Sequence, residues 1–325
     1  MKKVGVITDT GASLKYMHFK HNIKVAGIPI NYGEEVLLDG KDIDAYTFYD
    51  MIDNSDIIPS TSAPFPSEIF NCVKECVAEG CTDVIYIPLS TGLSGYGNNL
   101  FAIGDMYAKG VNFHVFPCRT TGIMQAYLAK YAEILANKNY EPEQILIELK
   151  KMQDNTFAFF AVDNLKYLVK NGRLSAAAGF LGGLMKIKPI IFLGDDTGLL
   201  KIHEKVRTLK KAVNRQYELV LDKVANSKEA IFLAQDTNRP EQIKLMAEEL
   251  KSKVSNKMVG FGYAPISPCI GAHTGSGLLG LGAITIDDLA EKEELKKLYC
   301  VCNRAKWFVR KVHTSTGWDA CSVCA

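Results

Sequence analysis

Apolar residues along the chain fall into two alternating patterns. Lys3 to Ile7, Val25 to Ile30, Val84 to Pro88 and Asn112 to Phe116 are short runs rich in β-branched and aromatic residues, and predict strands. Between them, apolar side chains recur every three or four residues over Pro66 to Glu79, Tyr96 to Ala108 and Ile123 to Ala136, which predicts helices. Pro66 suits a first helical turn, as does Pro142 in a further helix over Pro142 to Gln153. Strands alternating with helices over short connections imply a parallel, doubly wound sheet.

From Thr156 the pattern changes. Phe157 to Val162 and Pro189 to Leu193 read as buried strands, and so does Glu229 to Ala234; Lys205 to Val224 and Gln242 to Lys253 read as long amphipathic helices. The fold class is therefore α/β, with a first domain over 1–154 and a second over 155–288. The length of 325 residues fits two domains at about 150 residues each.

Composition sharpens this picture at the C-terminus. Four of the nine cysteines (Cys300, Cys302, Cys321 and Cys324) and both tryptophans lie in residues 289–325. That segment holds seven Lys/Arg against four Asp/Glu, a Cys-rich basic extension outside the main fold, expected to be flexible. A chain ending near Asp288 is expected to fold and bind normally. The four cysteines either remain free thiols or close a four-thiolate zinc site, although a C-x-C pair is unusual for zinc. Overall, 38 basic against 36 acidic residues give a net charge of +2, which argues against a nucleic-acid binder. No apolar run approaches the ~18 residues of a membrane helix. Met1-Lys2-Lys3 imitates the start of a signal peptide, but Thr8-Asp9 ends the apolar stretch, so a cytoplasmic location is expected.

Several segments could carry chemistry. Gly275-Ser276-Gly277-Leu278-Leu279-Gly280 fits G-x-G-x-x-G as a string, but glycines continue to Gly282 where a helix should run. Gly92-Leu93-Ser94-Gly95 follows a strand and opens a helix, yet Tyr96 stands where a nucleophile elbow needs glycine. The helix start there, with the hydroxyls of Ser90, Thr91 and Ser94, offers an anion site; Ser94 as a simple helix cap is the alternative. Pro59 to Pro64 holds a second hydroxyl cluster, Ser60-Thr61-Ser62, which turn chemistry also explains. His273-Thr274 is a polar pair in an otherwise apolar, glycine-rich stretch, where a structural histidine is the commoner outcome. Lys166, Lys170, Arg173, Lys186, Lys188, Lys205, Arg207, Lys210 and Lys211 form either a solvated basic face or a dock for an acidic or phosphate-handling partner.

Taken in order, these segments resemble the DegV family of bacterial fatty-acid-binding proteins. The resemblance runs from Met1 to about Asp288 through Ile7-Thr8-Asp9-Thr10, Ala26-Gly27-Ile28-Pro29-Ile30 and Asp39-Gly40-Lys41-Asp42-Ile43. It continues through Thr61 to Pro66, Pro88 to Gly95, Gly172-Arg173-Leu174-Ser175, Ile187 to Ile190, Lys205 to Thr208 and Ile270 to Gly275. It implies two α/β domains with an acyl tunnel, and a carboxylate site between them made by Thr61, Ser62, Ser94 and His273. Ser90, Thr91 and Thr274 are further candidates for that site. It also implies a non-enzymatic carrier, with no cofactor beyond the bound lipid, that presents a long-chain fatty acid to a fatty acid kinase for conversion to acyl-phosphate. Arg173 and Arg207 match arginines associated with the kinase.

Burying ~15 methylenes at ~0.8 kcal/mol each offers on the order of 12 kcal/mol before binding losses. The chain departs from the family pattern at Pro117-Cys118, at Gln235 in place of a histidine, and at Gly275-Ser276-Gly277. These changes bear on tunnel shape and acyl preference. Two other function classes stand beside this one: a serine hydrolase using Ser94 and His273, and a metal-binding regulatory protein acting through the tail cysteines.

Overall fold

The computed structural model describes residues 2–108, 110–163, 165–174, 187–254 and 258–300. The first half is built on a parallel four-stranded sheet of β1 (Val4–Asp9), β2 (Lys24–Ala26), β6 (Asp83–Ile87) and β7 (Asn112–Val115), ordered β2-β1-β6-β7. A small antiparallel sheet sits beside it, with β3 (Pro29–Tyr32) between β4 (Glu35–Leu38) and β5 (Ser60–Thr61). The helices of this half are α1 (Ala45–Asp53), α2 (Pro66–Ala78), α3 (Tyr96–Ile103), α4 (Ile123–Asn137) and α5 (Pro142–Asp154). The chain leaves β1 for one side of the sheet and β6 for the other. The loops after Asp9 and Ile87 therefore meet at a topological switch point, where open α/β sheets bind ligands.

The second half is a six-stranded mixed sheet. Its strands are β8 (Thr156–Ala161), β9 (Lys188–Leu193), β10 (Lys201–Val206), β11 (Ala230–Asp236), β12 (Met258–Pro265) and β13 (Leu279–Thr285), ordered β10-β9-β8-β13-β11-β12. Only β11 and β12 pair in parallel. The helices here are α6 (Lys166–Lys170), α7 (Leu209–Lys223), α8 (Pro240–Val254), α9 (Pro268–Thr274) and α10 (Lys292–Cys300). Helix α4 lies between the two large sheets. It shares one apolar cluster with Val6, Ile85 and Ile87 on one side and Phe160, Ile231 and Leu233 on the other. Every residue from Ile123 to Leu135 is consequently buried, where an ordinary surface helix would keep a polar face.

Two readings of the secondary structure change. The strand expected over Val25 to Ile30 is two strands in two sheets. It breaks because Glu68 Oε2 takes the Gly27 N–H (3.1 Å) and Thr10 Oγ1 takes that of Ile28 (3.1 Å). The helix expected over Lys205 to Val224 begins only at Leu209, where Thr208 Oγ1 accepts the Lys211 N–H at 3.2 Å. Lys205 lies in β10, which ends at Val206, and exposed Arg207 lies in the link. His273-Thr274 closes a helix, α9. The glycine string from Gly275 leads into β13, a strand between β8 and β11, as the rejection of the nucleotide motif requires.

The extension drawn from residue 289 is packed at its start. Leu289 and Leu295 are buried, and Glu148 Oε2 accepts the Ala290 N–H at 3.0 Å. Lys292 and Lys296 pair with Glu229, and Lys138 with Glu294. Packed structure thus runs through α10. The expectation that a chain ending at Asp288 is intact does not fit this packing. Of the four tail cysteines, Cys302, Cys321 and Cys324 lie outside the described residues, as does the side chain of Cys300.

Candidate functional site

A cavity opens at the switch point, between the loop after β6, the segment around β5, helix α9 and the six-stranded sheet. It encloses about 870 Å³, counting the space at its mouth, and is lined by Thr61, Ser62, Leu93, Ser94, Arg173, His273 and Thr274 together with an apolar wall. Leu89, Phe160, Val162, Leu168, Ile191, Leu193, Ile266 and Leu278 belong to that wall.

The polar residues come from four separate stretches of chain. Thr61 is the last residue of β5, paired with Ile30. Ser62 Oγ accepts a hydrogen bond from Asn31 Nδ2 at 3.0 Å. Ser94 precedes α3, whose N-cap residue, Gly95, has no side-chain cap, so Ser94 is not spent on capping. His273 is set by α9, and α9 is held from outside: Asp39 Oδ2 accepts the Cys269 N–H at 3.0 Å, and Tyr49 donates to the Ile266 carbonyl at 2.8 Å. Gly271 is glycine because a Cβ there would press on the Tyr49 ring and hydroxyl.

His273 Nε2 lies 2.7 Å from Thr61 Oγ1, and Nδ1 is buried with no partner among the described residues. Burial, then the positive charge of Arg173, push the His273 pKa down to about 4, so the ring is neutral at pH 7. A buried nitrogen without an acceptor is better left unprotonated, which places the single proton on Nε2. The ring then donates to Thr61 Oγ1 and leaves the Thr61 O–H free to be donated elsewhere. Arg173 donates through Nε to the Leu93 carbonyl (3.0 Å) and through Nη1 to the Asn171 carbonyl (2.6 Å). It pairs with no carboxylate among the described residues. The mouth therefore offers hydroxyl donors beside an uncompensated guanidinium, an arrangement that suits an anion.

The remaining predicted residues divide. Thr274 lines the cavity, with its hydroxyl 3.4 Å from the Ile270 carbonyl. Ser90 and Thr91 do not line it. Ser90 Oγ donates to the Gly198 carbonyl at 2.7 Å and Thr91 Oγ1 to the Cys118 carbonyl at 3.2 Å, so both hydroxyls fasten loops. Gly92 lets the Thr197–Gly198 backbone close on the same loop, in space a side chain would fill. Arg207 is exposed and apart from the cavity.

Among the described residues nothing favours the hydrolase alternative: the His273 ring nitrogen engages Thr61, and no acid orients its other nitrogen as a triad requires. Among the described residues, no three metal-ligating side chains converge. No described helix is long and apolar enough to cross a membrane. Sequence reasoning marked Gln235 as a departure bearing on tunnel shape, but passed over two other lining residues, Thr121 and Tyr96, whose hydroxyl is bonded to Asp9. Burial pushes the Asp9 carboxyl up to about 7, although it accepts from the Leu89 and Gly11 N–H groups and from Gln125.

Comparison with known proteins gives one consistent result. The family model described as "Uncharacterised protein, DegV family" matches residues 3–285. A DegV domain-containing protein of Staphylococcus aureus is 31% identical over 284 residues, which cover 87% of this chain and 97% of its own. The crystal structure of DegV, a fatty acid binding protein from Bacillus subtilis, superposes with a TM-score of 0.76 at 30% identity, covering 88% of this chain and all (100%) of that one. The Streptococcus pneumoniae fatty acid kinase B3 protein loaded with linoleic acid shares the fold, with a TM-score of 0.74 at 19% identity over 88% of this chain and 100% of that one.

Proposed function

Because the chain belongs to the DegV family, we propose that it is a cytoplasmic carrier that holds one long-chain fatty acid in the cavity, with the carboxylate at Thr61, Ser62, Ser94 and His273. The observation that carries this reading is the division of the cavity into a buried apolar wall and a partly exposed mouth rich in hydroxyls. The apolar wall takes the acyl chain at about 0.8 kcal/mol per buried methylene. Thr61 donates its O–H to one carboxylate oxygen while His273 holds Thr61 in place. Ser94 and Ser62 are further donors, and Arg173 supplies positive charge without covalent chemistry. Palmitate or oleate at about 100 times its dissociation constant should raise the melting temperature by roughly 5–10 °C, since binding to the folded state alone is then worth about 2.7 kcal/mol. The methyl ester of the same acid should give a much smaller rise. Equal shifts with acid and ester would mean that the polar mouth does not read the carboxylate.

The reading extends to presentation of the carboxylate to a fatty acid kinase. Phosphoryl transfer to the carboxylate gathers negative charge at the mouth, where the planar Arg173 guanidinium stands. Exposed Arg207, with Lys210 and Lys211 after it, would meet the kinase from outside. Arg173→Ala should lower acyl-phosphate formation with a cognate kinase much further than it lowers acid affinity. A parallel fall in affinity, melting temperature and activity would make Arg173 a structural residue of the Leu93 loop.

A further inference from the structure

Resting on the fatty-acid reading, we infer that Gln235 and Thr121 form a polar station in the cavity wall that selects acyl chains bearing a hydroxyl group. Gln235, the penultimate residue of β11, lines the cavity and is 3% exposed. The orientation of its amide is fixed by chemistry. Oε1 accepts the Ile123 N–H at 2.9 Å, and a backbone N–H can only donate, so the NH2 end is the one left over. Gly122, at φ +62°, makes this approach possible, since a Cβ there would overlap Oε1. Among the described residues, Gln235 Nε2 has no hydrogen-bond partner.

Thr121 adjoins Gly122 and lines the same cavity. Its hydroxyl donates to the Gly11 carbonyl at 3.2 Å, which leaves the oxygen free to accept. Gln235 is bonded to Ile123, two residues from Thr121, so two N–H donors and one acceptor face the same cavity as apolar side chains such as Phe160 and Leu278. Neither residue is hydrogen-bonded to Thr61, Ser62, Ser94 or His273. An acyl chain without a hydroxyl lying over them would shield them from water and leave a buried donor unpaired, which is costly. A hydroxyl on the chain accepts from Nε2 and donates to Thr121 Oγ1, and satisfies both. Sites built to hydrogen-bond a hydroxyl reject the analogue that lacks it more strongly than apolar sites reject the extra group. The ligand class is a long-chain hydroxy fatty acid.

The test is competition binding of stearate against a panel of monohydroxystearates that differ in hydroxyl position, read by native mass spectrometry on the full chain. At least one positional isomer should bind about tenfold more tightly than stearate, the scale of a single well-made hydrogen bond. In Gln235→Leu and in Thr121→Val that preference should shrink to within about twofold. Should Gln235→Leu fail to fold, Thr121→Val decides, because it leaves the Gln235–Ile123 bond in place. The inference is overturned if no hydroxystearate outcompetes stearate in the parent chain, or if the preference survives in the variants; stearate binding would then still uphold the carrier reading. If neither stearate nor any hydroxystearate binds, the carrier reading falls, and this inference with it.

Discussion

A chain ended after Asp288 should melt roughly 10 °C below one ended after Cys300, on the usual 2–4 °C per kcal/mol for a protein of this size. The loss comes from α10 and the residues leading into it. Leu295 is wholly buried and Leu289 nearly so, and burial of each is worth about 1.5–3 kcal/mol. The Ala290 N–H bond to Glu148 and the Glu291 N–H bond to Tyr131 (3.3 Å) end with the segment. Removing them exposes the apolar side of the α4–α5 hairpin, where Tyr131 also donates to Glu148 at 3.0 Å. The ion pairs of Lys292 and Lys296 with Glu229 are partly exposed and add little. Leu295→Ala in the full chain should reproduce a good part of the loss, about 2–5 kcal/mol for a buried leucine. Thermal melts of the three proteins side by side decide the matter. If the Asp288 chain matches the Cys300 chain, α10 is a passenger on the fold.

Removing the polar mouth should cost more than removing any one of its members. A hydrogen bond to a charged group is worth roughly 1.5–3 kcal/mol, so Thr61→Val or Ser94→Ala alone should weaken palmitate binding roughly tenfold to a hundredfold. The two together should weaken it at least a hundredfold, because they stand on separate segments and act independently. His273→Ala should behave differently. Its ring acts through Thr61 at 2.7 Å, so it should cost little more once Thr61 is already valine. Isothermal titration of the three single and two double variants reads this directly. Full additivity of His273→Ala with Thr61→Val would mean that the ring touches the carboxylate by itself. Unchanged affinity throughout would place the carboxylate elsewhere.

Much of this architecture is legible in the residues, because hydrophobic periodicity reports burial and burial follows layer position. Strands β1, β6, β8 and β11 are apolar runs because they are covered on both faces. What periodicity cannot show is what takes a backbone N–H in place of a ladder partner. Val25 to Ile30 reads as one strand, and only the distant Glu68 and Thr10 explain its break. Nor does it separate β10 from α7, since Lys201 to Val206 alternates in a pattern that merges into the amphipathic helix behind it.

The site is legible only in part for a related reason. Thr61, Ser62, Ser94 and His273 stand in hydroxyl- or glycine-rich segments that draw attention, and the cavity brings all four together. Ser90 and Thr91 carry the same local signal but fasten loops, a difference set by Gly198 and Cys118 far along the chain. Gln235, next to last in an apolar strand, stands out only as a departure from the family pattern, and its partner at the N-terminus of α4 is not legible in the sequence.

Native mass spectrometry of the full chain, purified from a bacterial host without added lipid, tests the carrier reading most directly. The protein should fly with one non-covalent adduct of long-chain fatty-acid mass per chain. That adduct should be lost on mild activation, be recoverable by solvent extraction, and be absent or greatly diminished in the Thr61→Val, Ser94→Ala double variant. A chain that flies at its bare mass, and stays there after incubation with palmitate, oleate and hydroxystearate, would contradict the account.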